Sequence, residues 1–200
     1  MKKRNKNKSF NIVIVGIGGQ GLITLLRIIT EAANIEGIDL AGSELHGLAQ
    51  RGGSVEVHVR FGKKVYSPLV KQGGADLIIA LEAQESLRAC YYASKKRETV
   101  FLVNDFSSKA LGQNKEFSLD MISKTLGNFS QRAVFLPASQ ICQEKLKNSL
   151  VAGVYMLGFC LFKNILPLRE EALKSAIEKI VPKKYLDLNL KAFDLPKRTF

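Results

Sequence analysis

Tryptophan is absent from this 200-residue chain, and histidine occurs only at His46 and His58. Acid–base or metal chemistry that needs an imidazole must therefore use one of those two positions. Three cysteines, Cys90, Cys142 and Cys160, are too few and too far apart for a disulfide framework, a zinc site or an iron–sulfur loop. They read as the reduced thiols of a cytoplasmic protein. Five prolines, and no tract dominated by Pro, Ser or Gln, exclude an extended disordered chain. The apolar run LVAGVYMLGFCLF, 150–162, is too short to span a bilayer and predicts a buried helix. A basic start before FNIVIVGIGGQGLITLL imitates a secretion signal, but four glycines interrupt it and no small-residue cleavage site follows.

The formal charge is +12, and the first eight residues, MKKRNKNK, supply five cations and no acid. Elsewhere lysine and arginine alternate with acids, as in LREEALKSAIEKI. No basic stripe interleaves with aromatics, and no helix-turn-helix, finger or RNA-binding pattern is present, so nucleic acid is not the ligand the sequence points to. The excess charge equally suits acidic partner surfaces. Residues 1–10 read as a basic tail, and 11–200 as one domain large enough for a single core.

The short apolar run NIVIV, 11–15, ends in glycine and leads into a helix with Leu22, Leu25, Leu26, Ile29 and Ala33 on one face. Further strands are expected within 75–82, 98–106 and 132–139, each followed by a connecting segment. This order predicts a Rossmann-like, doubly wound, mostly parallel α/β sheet, whose ligands or partners meet the carboxyl ends of the strands. The segment SVEVHVRFGKKVYSP, 54–68, alternates strictly and predicts a half-exposed antiparallel hairpin turning at Gly62-Lys63, with His58 facing solvent. Residues 168–181 predict an amphipathic helix in a helical C-terminal part, and YLDLNLKAFDLP, 185–196, a late edge strand or arm. Asp105 reads as a strand-end residue and Asn148 as a helix cap.

Two stretches carry candidate chemistry. Gly16, Gly18 and Gly21 match G-x-G-x-x-G between a strand and a helix, where small residues let a phosphate approach helix N-terminal amides. The same pattern serves a tight turn packed on a neighbouring subunit, and no acid convincingly ends a second strand to hold a ribose. The second stretch, SELHGLAQRGGS, crowds Ser43, Glu44, His46, Gln50 and Arg51 between Gly42, Gly47, Gly52 and Gly53. Either a functional loop or a self-satisfying subunit interface accounts for it. His46 has the chemistry of an acid or base, Glu44 of a group that orients it, and Arg51 of an anion contact. The chain lacks a Gly-Asp-Gly thiamine motif, H-E-x-x-H and G-x-S-x-G, so it carries no complete redox apparatus.

With IVIVGIGGQGLITLLRIITEAA, then SELHGLAQRGGSVEVHVRFG, then LPLREEALKSAIEKIVPKKYLDLNLKAFDL, the chain resembles the gamma-type subunit of 2-oxoacid:ferredoxin oxidoreductases. Its middle loop is most similar to the indolepyruvate branch. That resemblance implies a non-autonomous subunit of a cytoplasmic enzyme that decarboxylates an aryl-2-oxoacid with coenzyme A and passes two electrons to ferredoxin. It further implies that thiamine diphosphate, Mg and iron–sulfur clusters sit on a partner subunit, with a homodimer as the alternative for the isolated chain. Gly16, Gly18, Gly19, Gln20 and Gly21 match the family's first turn; Ser43, Glu44, His46, Gly47, Gln50, Arg51, Gly52 and Gly53 match its second loop. Both loops are expected at the carboxyl edge, facing the partner's active site, with Arg51 on an anion and His46 positioning or shuttling a proton. The lysine-rich first eight residues lie outside the resemblance and suit either a disordered tail or a dock for ferredoxin. The competing functions are a stand-alone nucleotide-binding or regulatory module and a basic nucleic-acid adaptor.

Overall fold

The computed structural model describes residues 9–46, 52–63, 65–107 and 117–199, with only the backbone of His46, Arg198 and Thr199. Six strands lie in the order β2 (Leu40–His46), β3 (Ser54–Phe61), β1 (Phe10–Ile17), β4 (Leu77–Ala80), β5 (Val100–Asn104), β6 (Arg132–Leu136). β1, β4, β5 and β6 run parallel, and the apolar runs of β1, β4 and β5 suit strands covered on both faces. β3 is antiparallel to both β1 and β2. The chain leaves β1 toward β2 on one side and later returns to β4 on the other, which puts the topological switch between β1 and β4.

Alternate side chains of the strands enter two cores. Ile12, Ile14, Leu77, Ile79 and Leu102 pack under α1 (Leu22–Ile35), α4 (Ala138–Leu146), α5 (Ala152–Phe162), α6 (Glu170–Ile180) and α7 (Lys183–Asp194). Val13, Val15, Ile78, Phe101 and Val103 face α2 (Glu85–Arg88), the 3-10 turn Ala89–Tyr92 and α3 (Leu119–Gly127). The expected buried helix is α5, pressed so closely on α7 that a Cβ on Gly158 would collide with the Phe193 carbonyl. All three cysteines are buried and free; burial raises Cys90 to about 11 and Cys142 to about 12, so both stay protonated at neutral pH. The Asn148 cap is present, its Oδ1 accepting from the Leu150 N–H at 2.9 Å.

Four expectations need correction. The hairpin is β2–β3, and 65–70 forms no strand. β3 is not half-exposed: it lies between β2 and β1, and His58 is 1% exposed. Residues 43–46 belong to β2 rather than a loop, because their backbone pairs with 55–58, and a polar, glycine-containing run suits an edge strand. Residues 183–194 form α7, not a strand: Tyr185, Asn189, Ala192 and Phe193 share a face at helical spacing, with Asn189 Nδ2 donating to the Tyr185 carbonyl. In addition, β1 begins at Phe10, within the expected tail.

Candidate functional site

The glycine turn closes on its own glutamine. Gln20 Oε1 accepts from the Ile17 N–H at 2.8 Å, and Gln20 Nε2 donates to Glu82 Oε2 at 3.3 Å. The side chain thus bridges the end of β1 to the residue just past β4, at the switch point. A Cβ on Gly16 would stand 2.6 Å from Gln20 Oε1, so glycine there makes room for the glutamine. Gly19 and Gly21 have φ of 103° and 84°, the left-handed region that favours glycine. The Gly18 N–H donates to the Gly53 carbonyl at 2.9 Å and that of Gln20 to the Ile17 carbonyl at 3.1 Å. Two of the turn's amides are therefore spent inside the protein, and the first turn and the Gly52-Gly53 corner are joined.

Gly18, Gly19, Gly21, Leu22, Ile23, Thr24, Glu44 and Val55 line a groove of about 490 Å³ beyond the turn. It opens on the start of α1, which no side chain caps. Glu44 comes from the α1 side of β2, opposite Val57, whereas Ser43 pairs with His58 and belongs to the other face. The expected polar cluster is thus split across the sheet. The His46 backbone pairs with Val55 of the groove wall, and its side chain, with Gly47, Gln50 and Arg51, lies outside the described residues. A Cβ on Gly42 would approach Leu26 Cδ1 to 2.9 Å, so this glycine keeps α1 close to β2.

On the opposite face, the polar residues of β3 each hold a covering segment. Ser54 Oγ donates to Glu85 Oε1 at 2.9 Å, and Tyr92 Oη to Glu56 Oε1 at 2.7 Å. Arg60 donates to Asn11 Oδ1 and to the Ser67 carbonyl. The Val70 N–H donates to His58 Nδ1 at 3.0 Å, so Nδ1 carries no proton and Nε2–H donates to Glu56 Oε1 at 2.7 Å. His58 is a structural imidazole, held between the Val70 backbone and Glu56. Near these ties Val15, Leu45, Ser54, Glu56, Glu85 and Arg88 line a second cavity of about 260 Å³. Burial pushes the Glu85 carboxyl above its ordinary value, opposed by Ser54 and Arg88. Burial would also raise Glu56, but the hydrogen bonds from His58 and Tyr92 and the Arg88 charge outweigh it and leave Glu56 low.

A third cavity, about 280 Å³, lies between Ile17, Gln20, Leu81 and Asn104 of the sheet and Leu150, Ala152 and Gly153. Asn104 donates to the Leu81 carbonyl and Ser139 Oγ, and its Oδ1 accepts from the Ser139 N–H. Asp105 stands exposed at the end of β5, as expected. Ile23, Leu45, Phe106 and Leu150 leave large apolar surfaces uncovered around this edge, Leu150 being 73% exposed. The sequence reading missed Glu82, Glu85 and Ser54. An acid directly after the apolar run ADLIIAL was the available signal for Glu82.

Among the described residues no three His, Cys, Asp or Glu side chains converge as a metal site would need. No helix among them is long and apolar enough to cross a membrane. Over 189 residues the chain is 40% identical to an indolepyruvate oxidoreductase subunit IorB from Archaeoglobus fulgidus, covering 92% of each. The corresponding subunit from Thermococcus kodakarensis is 33% identical over 94% of each. In fold, the chain is similar to the gamma subunit of a keto/oxoacid ferredoxin oxidoreductase from Geobacter sulfurreducens, with TM-score 0.70, 23% identity, and 94% and 95% of the two chains covered. It also matches 31% of the 2-oxoglutarate:ferredoxin oxidoreductase chain from Magnetococcus marinus, a structure with 2-oxoglutarate, coenzyme A and succinyl-CoA bound, at TM-score 0.72, 20% identity and 96% of this chain. Residues 11–196 match the family model described as pyruvate ferredoxin/flavodoxin oxidoreductase, and the chain belongs to that family.

Proposed function

We propose that this chain is the small, non-autonomous subunit of a cytoplasmic indolepyruvate:ferredoxin oxidoreductase. The observation that carries this reading is the end-to-end match with relatives named as indolepyruvate oxidoreductase subunits. In the reaction, an aryl-2-oxoacid and coenzyme A give carbon dioxide and an acyl-coenzyme A, and two electrons pass to ferredoxin. The partner subunit holds thiamine diphosphate, Mg and the iron–sulfur clusters, which agrees with the dispersed, buried cysteines of this chain.

Residues 11–200 act as one gamma-type domain whose carboxyl edge packs against that partner. Its uncovered Ile23, Leu45, Phe106 and Leu150 supply apolar contact there. The Gln20–Glu82 bridge fixes the shape of the turn, and the groove at the start of α1 receives either a partner segment or coenzyme A. Glu44 in the groove wall, and the amides already used by Gly18 and Gln20, favour a partner segment over a bare phosphate. Arg51 contacts an anion of substrate or coenzyme A, and His46 positions or shuttles a proton.

Co-purification of the tagged chain from its own cell tests the reading, followed by cofactor analysis and ferredoxin reduction with indolepyruvate and coenzyme A. A large partner carrying thiamine diphosphate and iron–sulfur clusters, with activity absent from this chain alone, is expected. A chain emerging alone with a bound nucleotide overturns the subunit reading in favour of a stand-alone module. In the complex, Arg51→Ala lowers turnover strongly; unchanged kinetics remove Arg51 from the site.

A further inference from the structure

The two outer strands of the sheet are guarded differently. β6 is five residues long, starts at Arg132 and runs into Pro137. β2 is seven residues long and keeps one-to-one register with β3 from Leu40 to His46. It contains no lysine, arginine, proline or bulge, the devices that stop an edge strand from pairing further. The Gly62 N–H donates to the Asp39 carbonyl at 2.9 Å, which pairs these two residues through hydrogen bonds and sets the alternation beyond them. Ala41, Ser43 and Leu45 then turn their backbone groups to Arg60, His58 and Glu56 of β3, while Leu40 and Gly42 turn theirs outward from the sheet. Among the described residues nothing hydrogen-bonds to those outward groups. Apolar side chains flank the carboxyl end of β2 on both faces. Leu45, 43% exposed, lies on the side of α2, and Ile23, 47% exposed, shares the groove wall with Glu44 on the side of α1.

We infer that an extended segment of the partner subunit completes β2, adding a strand to the sheet through main-chain hydrogen bonds at Leu40 and Gly42, an inference that rests on the subunit reading above. Position and charge choose this occupant. The groove of about 490 Å³ at the start of α1, where that reading seats a partner segment, has Glu44 of β2 in its wall, so a chain leaving the groove along the sheet meets β2 next. Residues 38–46, IDLAGSELH, contain Asp39 and Glu44 and no lysine or arginine. Two copies of β2 side by side would therefore set acid against acid, whereas a partner strand carrying lysine or arginine opposite Glu44 gains from the same charges. Successive side chains of the added strand point to opposite faces, covering Leu45 on one and Ile23 on the other. Main-chain bonds supply affinity, and the apolar and basic positions of the added strand supply specificity.

The test compares the isolated chain with the complex it forms with its own partner subunit, by hydrogen exchange resolved to single amides. The Leu40 and Gly42 amides are expected to exchange roughly tenfold or more slowly in the complex than in the isolated chain. Leu40→Pro removes an outward N–H without touching the ladder to β3, and Leu40→Ala controls for the lost side chain. The proline variant should bind the partner about tenfold more weakly than the alanine variant, with a Tm close to it. Equal exchange of the two amides in the free chain and the complex overturns the added strand, as does equal partner affinity of the two variants. Protection already present in the isolated chain, and rising with its concentration, also overturns it and makes a second copy the occupant. A chain that forms no complex with any partner from its own cell instead overturns the subunit reading on which the inference rests.

Discussion

At the amino edge, Asp76 accepts two N–H groups from Arg97, at 2.8 and 2.9 Å, and the backbone N–H of Asn11 at 2.8 Å. At the carboxyl edge, Glu82 is 3% exposed yet takes a longer hydrogen bond from an uncharged amide, Gln20 Nε2. The first arrangement locks: bidentate, charge-assisted bonds satisfy the carboxylate and fix the starts of β1, β4 and β5 together. The second is a longer bond from an uncharged donor, beside cavities and bare apolar side chains. The surfaces differ in the same sense, with lysines around the locked edge and Glu44, Glu85 and Asp105 around the other. In the proposed assembly the second of these ends is the one that a partner chain covers.

Removing the lock should produce the largest change. Arg97→Ala leaves Asp76 half-buried without its counter-charge and is expected to cost roughly 3 kcal/mol, or about 6–12 °C in Tm. Thermal unfolding reads the loss; turnover below the transition stays normal, and an unchanged Tm would mean that the pair is ornamental. Next, Gly16→Ala drives Gln20 out of the turn, costs about 1–3 kcal/mol, and slows the assembled enzyme by as much as ~100-fold through misplacement of the edge. Should Gly16→Ala lower Tm while leaving kcat intact, the turn is scaffold and the contrast between the edges weakens.

Leu150→Asp probes the uncovered surface. Its side chain touches solvent in the isolated chain, so stability holds while affinity for the partner subunit falls by about tenfold or more, near 1.4 kcal/mol. Titration of the two purified subunits measures it, and equal affinity moves the interface elsewhere. The smallest effects come from the two carboxyls beside Arg88. Glu56 is held below 4.5, so its contribution is complete above that value and is lost as pH falls through the depressed one. Glu85 is held above 4.5, so its ionisation begins to cost stability as pH rises past that value. Glu56→Gln should therefore lower Tm by about 1–2 °C at neutral pH and flatten the loss toward acid; Glu85→Gln should raise it slightly. Matching pH profiles for the two variants would falsify the opposite roles assigned to them.

The parallel half of the sheet was legible because IVIV, LIIA and VFLV are apolar and buried on both faces. β3 misled because its polar residues look solvated in sequence, whereas Ser54, Glu56, His58 and Arg60 each find a partner from a distant segment. β2 was hidden by the same logic: an edge strand with glycine and polar residues has no apolar period to betray it. In α7, Leu186, Leu188 and Leu190 alternate like a strand, but the buried positions Asn189, Ala192 and Phe193 follow the helix. Of the site, the glycine turn and its place at the carboxyl edge were readable from pattern. The bridge to Glu82 spans 62 positions, and no local rule announces a partner so remote.

That bridge also bears on inheritance. Because Gln20 occupies the space a side chain at position 16 would need, the two positions form one unit, tied in turn to Glu82. Either substitution alone breaks the bridge, so changes at these sites should accumulate jointly.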